Sequence, residues 1–248
     1  MGAPMSEPRF IPIALQERFT FQCHRAVPCF NHCCRDLNQA LTPYDVLMLR
    51  NHLNLSWQAF EDSYADLHQG PASGLPVVSL RFNQGSDRRC PFVAREGCRV
   101  YTARPSSCRL YPLARALSRS PDNGRITVHY ALVQEPHCRG FEEGPEITVE
   151  QWIEDQQLAP YFQTNDVLLE FIALKNRMGK GPLPPTQQQW ARMALYDLDA
   201  LKQQVSDGRL FGLESVEKDP PAHNDDDGKW LAWGMDWIKQ VLMRQLKF

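Results

Sequence analysis

Apolar residues recur at helical spacing along much of the chain. Thr42 can cap a helix whose first position suits Pro43, and Asp45 stands where a reciprocal capping carboxylate belongs. Val46, Leu49 and Leu53 give that helix an apolar face. Ser56 starts a second helix, with Trp57, Phe60, Tyr64 and Leu67 along one side. Thr148 and Gln151 form a capping box ahead of Trp152 and Ile153. Asn165 to Met178 reads as an amphipathic helix closed by Gly179, and Gly179 to Pro185 as a short stiff linker. Thr186 begins a helix carrying Trp190, Met193, Leu198 and Leu201, and Trp230, Trp233, Trp237, Val241 and Leu242 define a last one.

Strand patterning is sparser. Val77 to Phe82 reads as a short strand, and Arg125 to Leu132 as another after the Ser120–Gly124 turn. Residues up to about Phe19 look like an irregular lead-in, and Gln69–Pro76 and Asp219–Gly228 like loops. The expected fold is α+β and mainly helical. An irregular cysteine-rich metal-binding region with short strands, residues 1–147, precedes a helical C-terminal half, residues 148–248, packed on it as one unit.

The chain has 248 residues, 43% of them hydrophobic and 23% charged, which leaves room for a real core. A net charge of −2 gives no broad attraction to nucleic acid or to an anionic membrane, so neither is expected as a partner. No apolar run reaches the length of a membrane span, and Met1 to Arg9 shows no apolar signal-peptide core. The cytoplasm is the expected location, and a reducing compartment disfavours structural disulfides.

All eight cysteines lie between positions 23 and 138. The first group, CHRAVPCFNHCC, holds Cys23, Cys29, Cys33 and Cys34. The second, CPFVAREGCRVYTARPSSC, holds Cys90, Cys98 and Cys108, and Cys138 follows alone. Reduced core thiols would be scattered, and a disulfide framework belongs in a secreted chain. Clustering in an intracellular protein points to a metal. Structural zinc favours paired C-x2-C knuckles, and none is present. Iron–sulfur ligation tolerates looser spacing because the irons of a cluster lie apart. Iron–sulfur, of the 4Fe-4S type, is therefore favoured and zinc is the alternative. All eight cysteines are candidate ligands, for two sites or for one site with spare thiols.

A thiolate site is anionic, so Arg104 and Arg109 are candidates to support it. Phe21, Phe30, Phe92 and Tyr101 could wall it from water. His24, His32 and His137 adjoin cysteines but read as polar loop residues.

These two cysteine runs resemble the YkgJ-type cysteine-cluster family. Its members carry a CxxCxxCC-like group, then C-P-F, then Y-x-x-R-P-x-x-C-R-x-Y-P. Here these fall on Cys90, Pro91 and Phe92, and on Tyr101, Arg104, Pro105, Cys108, Arg109, Tyr111 and Pro112. The first group departs by its longer gaps and by lacking a glycine before the paired cysteines. The likeness spans roughly residues 20–140 and implies a bacterial-type domain that chelates zinc or iron. One similar branch, the flagellin lysine N-methylases, implies methyl transfer from S-adenosylmethionine to a protein.

Three functions therefore stand side by side: a metal-cluster protein for redox, sensing or structural use, a protein lysine methyltransferase, and a structural zinc module presenting its helices to a protein partner. The chain has neither a Gly-rich dinucleotide-type turn nor a C-x3-C-x2-C triad. The Trp230, Trp233 and Trp237 stripe reads first as a core-facing helix side and second as a partner groove or lid. Asp225 to Asp227 reads as a solvated loop with Asp227 as a cap.

Overall fold

The computed structural model describes residues 7–71, 73–85, 87–120, 122–179 and 181–245. In chain order the strands are β1 (Arg9–Ile13), β2 (Arg18–Thr20), β3 (Ala40–Leu41), β4 (Ala65–Gln69), β5 (Pro76–Leu80), β6 (Val93–Ala94), β7 (Gly97–Cys98), β8 (Leu113–Arg119), β9 (Ile126–Gln134) and β10 (Glu146–Thr148). The helices are α1 (Pro43–Leu53), α2 (Trp57–Tyr64), α3 (Ser106–Leu110), α4 (Val149–Asp155), α5 (Ala159–Met178), α6 (Pro185–Leu195), α7 (Leu198–Ser206) and α8 (Asp227–Gln245). The fold is α+β and mainly helical, with short antiparallel strands. No helix among the described residues is long and apolar enough to cross a membrane.

The chain forms two compact units. One comprises the residues up to Leu37 and Asn83–Ala159, the other Asn38–Phe82 and Pro160–Phe248. This is not a cut at residue 147, because α1, α2 and β3–β5 build a common core with the C-terminal helices: α1 packs on α8, and β5 on α6.

The first unit carries every cysteine and three small sheets, β1-β9-β8, β10-β2 and β6-β7. The expected irregular lead-in is in fact two strands. Arg9–Ile13 pairs with β9 from Gln134 to Tyr130, and Arg18–Thr20 pairs with β10. Their partners lie far along the chain, so nothing in their own short, mixed patterns announces them. β8 likewise forms only by lying antiparallel to β9. At the start of α4, Thr148 and Gln151 make the expected capping box.

In the second unit, Thr42 and Asp45 cap α1 reciprocally with Pro43 in the first turn. Ser56 caps α2, but that helix stops at Tyr64 and Leu67 lies in β4. Arg81 explains the stop. Its guanidinium donates to the carbonyls of Asp62 at 2.7 Å, Glu61 at 3.3 Å and Ala65 at 2.5 Å, satisfying the exposed end of the helix. The expected helix from Thr186 is two helices. The amides of Tyr196 and Asp197 both donate to the Arg192 carbonyl, and Asp197 then caps α7.

The tryptophan stripe of α8 is core. Trp230, Trp233 and Trp237 are buried, and each indole N–H finds a carbonyl, of Ala222 at 3.1 Å, Lys218 at 3.0 Å and Phe211 at 3.0 Å. The three bonds strap the segment between α7 and α8 onto the helix. Gly234 makes the close crossing possible, since a Cβ there would lie 2.8 Å from Leu201 Cδ2 and 3.1 Å from the Ala194 carbonyl. Asp226, not Asp227, accepts the Lys229 amide at the start of α8. Asp227 instead pairs with Lys202 at 2.5 Å.

Candidate metal centre

The cysteines lie in loops, and main-chain hydrogen bonds bring those loops together. The first loop winds through successive turns, Val27 N–H to His24, Phe30 to Val27, His32 to Cys29 and Cys34 to Asn31. Asn31 sits at φ 67°, a left-handed conformation that asparagine tolerates. Its side-chain amide donates to the Ala94 carbonyl at 3.0 Å, joining this loop to the β6–β7 hairpin. Gly97 in that hairpin has φ +123°, and a Cβ there would stand 3.2 Å from the Phe30 ring. Only glycine serves both the backbone and the ring.

The paired cysteines are held to the second group directly. The Cys90 amide donates to the Cys34 carbonyl at 2.9 Å, Arg35 and Arg89 form an antiparallel bridge, and Arg88 pairs with Asp36 at 2.6 Å. At the other end of the loop, the Gln22 amide donates to the Gly140 carbonyl at 2.9 Å. The Arg139 amide donates to the Cys29 Sγ at 3.1 Å. An aromatic group backs this junction, with buried Phe21 edge-on to half-buried Tyr111, Phe141 and Trp152 at 5.6, 5.2 and 5.7 Å.

None of the eight cysteines is in a disulfide; Cys23 and Cys108 are exposed and the other six half-buried. They lie within electrostatic reach of one another. Burial, then Cys33, Cys29 and Cys138, push the Cys23 thiol up to about 11. Cys34 donates its S–H to Cys33, which lowers the Cys33 pKa against an opposing burial effect. The same bond raises the Cys34 pKa far above the thiol range, with burial and the charges of Cys33, Cys90 and Cys108 adding to it.

At several other sulfurs neighbouring main-chain amides oppose the effect of burial. Burial raises the Cys90 pKa while the Phe92 and Val93 amides oppose it. Burial likewise raises Cys98 against the Val100 amide and the guanidinium groups of Arg104 and Arg99. Burial also raises Cys138, opposed by the neighbouring Tyr111 and by the Gly140 amide.

The two arginines act differently. Arg104 lies over the Tyr101 ring at 3.9 Å, donates to the Tyr101 carbonyl at 2.7 Å and to the Gln156 side chain, and reaches Cys108 and Cys98 electrostatically. Arg109 is buried and donates to the carbonyls of Gln156 at 2.9 Å and Thr102 at 2.5 Å. It braces the loop that carries Cys108. Phe21 and Phe92 are buried and Phe30 is half-buried, whereas Tyr101 is 60% exposed and walls nothing off from water. His24 and His137 face Glu143 and Glu135, each at 3.7 Å.

Among the described residues, no three histidine, cysteine, aspartate or glutamate donors are already closed up to metal-binding spacing. The chemistry of the donor set nevertheless fits a thiophilic metal. Burial and neighbouring thiols penalise the thiolates of Cys23, Cys34, Cys90, Cys98 and Cys138, and a cation among them would offset both effects. Reasoning from sequence missed Tyr111, Gly140 and Asn31 as supports of the cluster. Tyr111 and Gly140 follow Cys108 and Cys138 closely, but only the fold shows what they touch.

Residues 22–139 match the model of the CxxCxxCC family, described as "Putative zinc- or iron-chelating domain". Neither a curated protein nor a solved structure matches the chain. The matched stretch holds all eight cysteines, and over it the chain is similar to the CxxCxxCC domains.

Proposed function

We propose that this domain holds iron as an iron–sulfur centre of the 4Fe-4S type and uses it for electron transfer or sensing, with the metal also stapling the loops of its unit. The observation that carries the reading is the Arg139 amide donating to the Cys29 Sγ at 3.1 Å, with the neighbouring amides of Phe92, Val93, Val100 and Gly140 favouring the thiolates of Cys90, Cys98 and Cys138. Such donors stabilise thiolates and set the reduction potential of a cluster. Arg104 adds further positive potential at Cys98. The centre itself would supply one-electron chemistry. Eight cysteines outside any disulfide suit a reducing compartment such as the cytoplasm.

The test is anaerobic purification followed by iron, sulfide and zinc analysis and an absorption spectrum. Iron with acid-labile sulfide and broad visible absorption is expected. A colourless protein with stoichiometric zinc would overturn the iron–sulfur reading in favour of a structural zinc module. Serine at Cys33, Cys34 or Cys108 should lower both metal content and soluble yield, because binding energy in a loop-rich site is also folding energy.

A further inference from the structure

Two separate pairs of main-chain junctions hold the eight thiols, one on each side of the vicinal pair Cys33–Cys34. On one side, Gln22 N–H to the Gly140 carbonyl and Arg139 N–H to Cys29 Sγ fix the Cys23–Cys29 loop against the turn of Cys138. That turn is closed by the Cys138 amide on the Glu135 carbonyl at 2.9 Å. On the other side, Cys90 N–H to the Cys34 carbonyl and the Arg35–Arg89 bridge fix Cys34 against the C-P-F turn. The β6–β7 pairing sets Cys98 opposite Val93, three residues beyond Cys90.

We infer that the chain builds two four-thiolate centres, one from Cys23, Cys29, Cys33 and Cys138 and the other from Cys34, Cys90, Cys98 and Cys108, joined through the Cys33–Cys34 peptide. This rests on the proposed metal role and deepens it. Four thiolates are the full complement for a tetrahedral zinc or a cubane cluster, so eight divide without remainder.

The electrostatic neighbours follow this division except at Cys33, which acts on members of both sets. Cys23 feels Cys33, Cys29 and Cys138, and Cys138 feels Cys29. Cys34 feels Cys90 and Cys108, and Cys90 feels Cys98. Cys33 also reaches Cys90 and Cys98, as a residue at the junction should. Each set has three half-buried thiols and one exposed one, Cys23 in the first and Cys108 in the second.

The experiment measures metal and sulfide per chain in the full-length protein, anaerobically purified, and in two double variants. One carries Cys29→Ser with Cys138→Ser, the other Cys90→Ser with Cys98→Ser. The expected wild-type content is that of two centres, and each double variant should keep half of it. A wild-type content of one centre overturns the inference, as does a folded double variant that has lost all its metal. If a variant fails to fold, wild-type stoichiometry by native mass spectrometry decides alone. The two readings fail separately. Two zinc ions per chain would sink iron–sulfur and support two centres, whereas one iron–sulfur cluster per chain would do the reverse.

Discussion

The Arg139 amide donates to the Sγ of Cys29 at 3.1 Å, although the two residues are 110 positions apart. Beside it, Gly140 closes on Gln22, and the ring of Phe21 lies where a side chain on Gly140 would stand. Residue 140 thus decides how near the turn of Cys138 comes to the loop of Cys23 and Cys29.

Gly140→Ala should therefore damage the site without touching a cysteine. Its Cβ would lie 2.5 Å from Phe21 Cε2 and 2.9 Å from the Gln22 carbonyl, which no real contact tolerates. The cost should be about 1–3 kcal/mol of overpacking strain. Thermal unfolding and metal analysis check it together. Unchanged melting with full metal content would show that the two loops need not approach this closely.

Legibility from sequence followed the range of the interactions. The capping boxes of Thr42 and Thr148 could be read directly because both partners lie within one turn. The buried stripe of Trp230, Trp233 and Trp237 was legible as periodicity. β1 was not, because its partner β9 lies more than a hundred residues away, and the end of α2 was not, because Arg81 stops it from outside. The same holds for the site. The cysteines showed themselves by clustering, but the junctions that sort them, Cys34 with Cys90 and Cys29 with Arg139, are contacts between distant loops.

The indole straps give a graded prediction. Trp233→Phe keeps most of the ring but removes the bond to the Lys218 carbonyl, so the loss should be about 1 kcal/mol. Trp237→Ala removes a fully buried side chain and leaves a cavity, so the loss should be about 3–5 kcal/mol. Denaturant unfolding of the two variants measures the contrast. Equal losses would mean that the straps, not the packing, dominate the role of this helix.

Asp199 supplies a pH prediction. Its carboxylate accepts from the Trp57 amide at 2.8 Å and from Arg50 at 2.6 Å. Burial alone would raise its pKa, but these partners prevail and hold it below the ordinary carboxylate value. A depressed folded-state pKa contributes stability above the unfolded value of about 3.9, and that contribution is lost as pH falls through the folded value. Asp199 is half exposed and screened, whereas Arg50 is buried, so Asp199→Asn should cost about 1–2 kcal/mol at pH 7. The gap to wild type should narrow as pH drops below about 4. Urea unfolding across that range tests it, and a penalty that does not change with pH would assign the effect to shape instead of charge.

Arg104 tests whether the two sets of thiols sit in different fields. Its guanidinium is pinned by the Tyr101 carbonyl and Gln156, and it reaches Cys98 and Cys108. Glu135 lies instead by Cys33 and Tyr111. A positive charge favours the reduced, more anionic form of a thiolate-bound centre. Arg104→Gln should therefore lower the potential of the centre on Cys34, Cys90, Cys98 and Cys108. Through partly screened surroundings the effect should be on the order of 1 kcal/mol, or roughly 40 mV for one electron. The centre beside Glu135 should keep its potential, so a redox titration followed by absorption should show one of two waves shift. Lysine at 104 should restore part of the shift if charge is the cause. Displacement of both waves together would mean that the variant acts by loosening the loop held through Gln156, since a local field would move only the nearer centre.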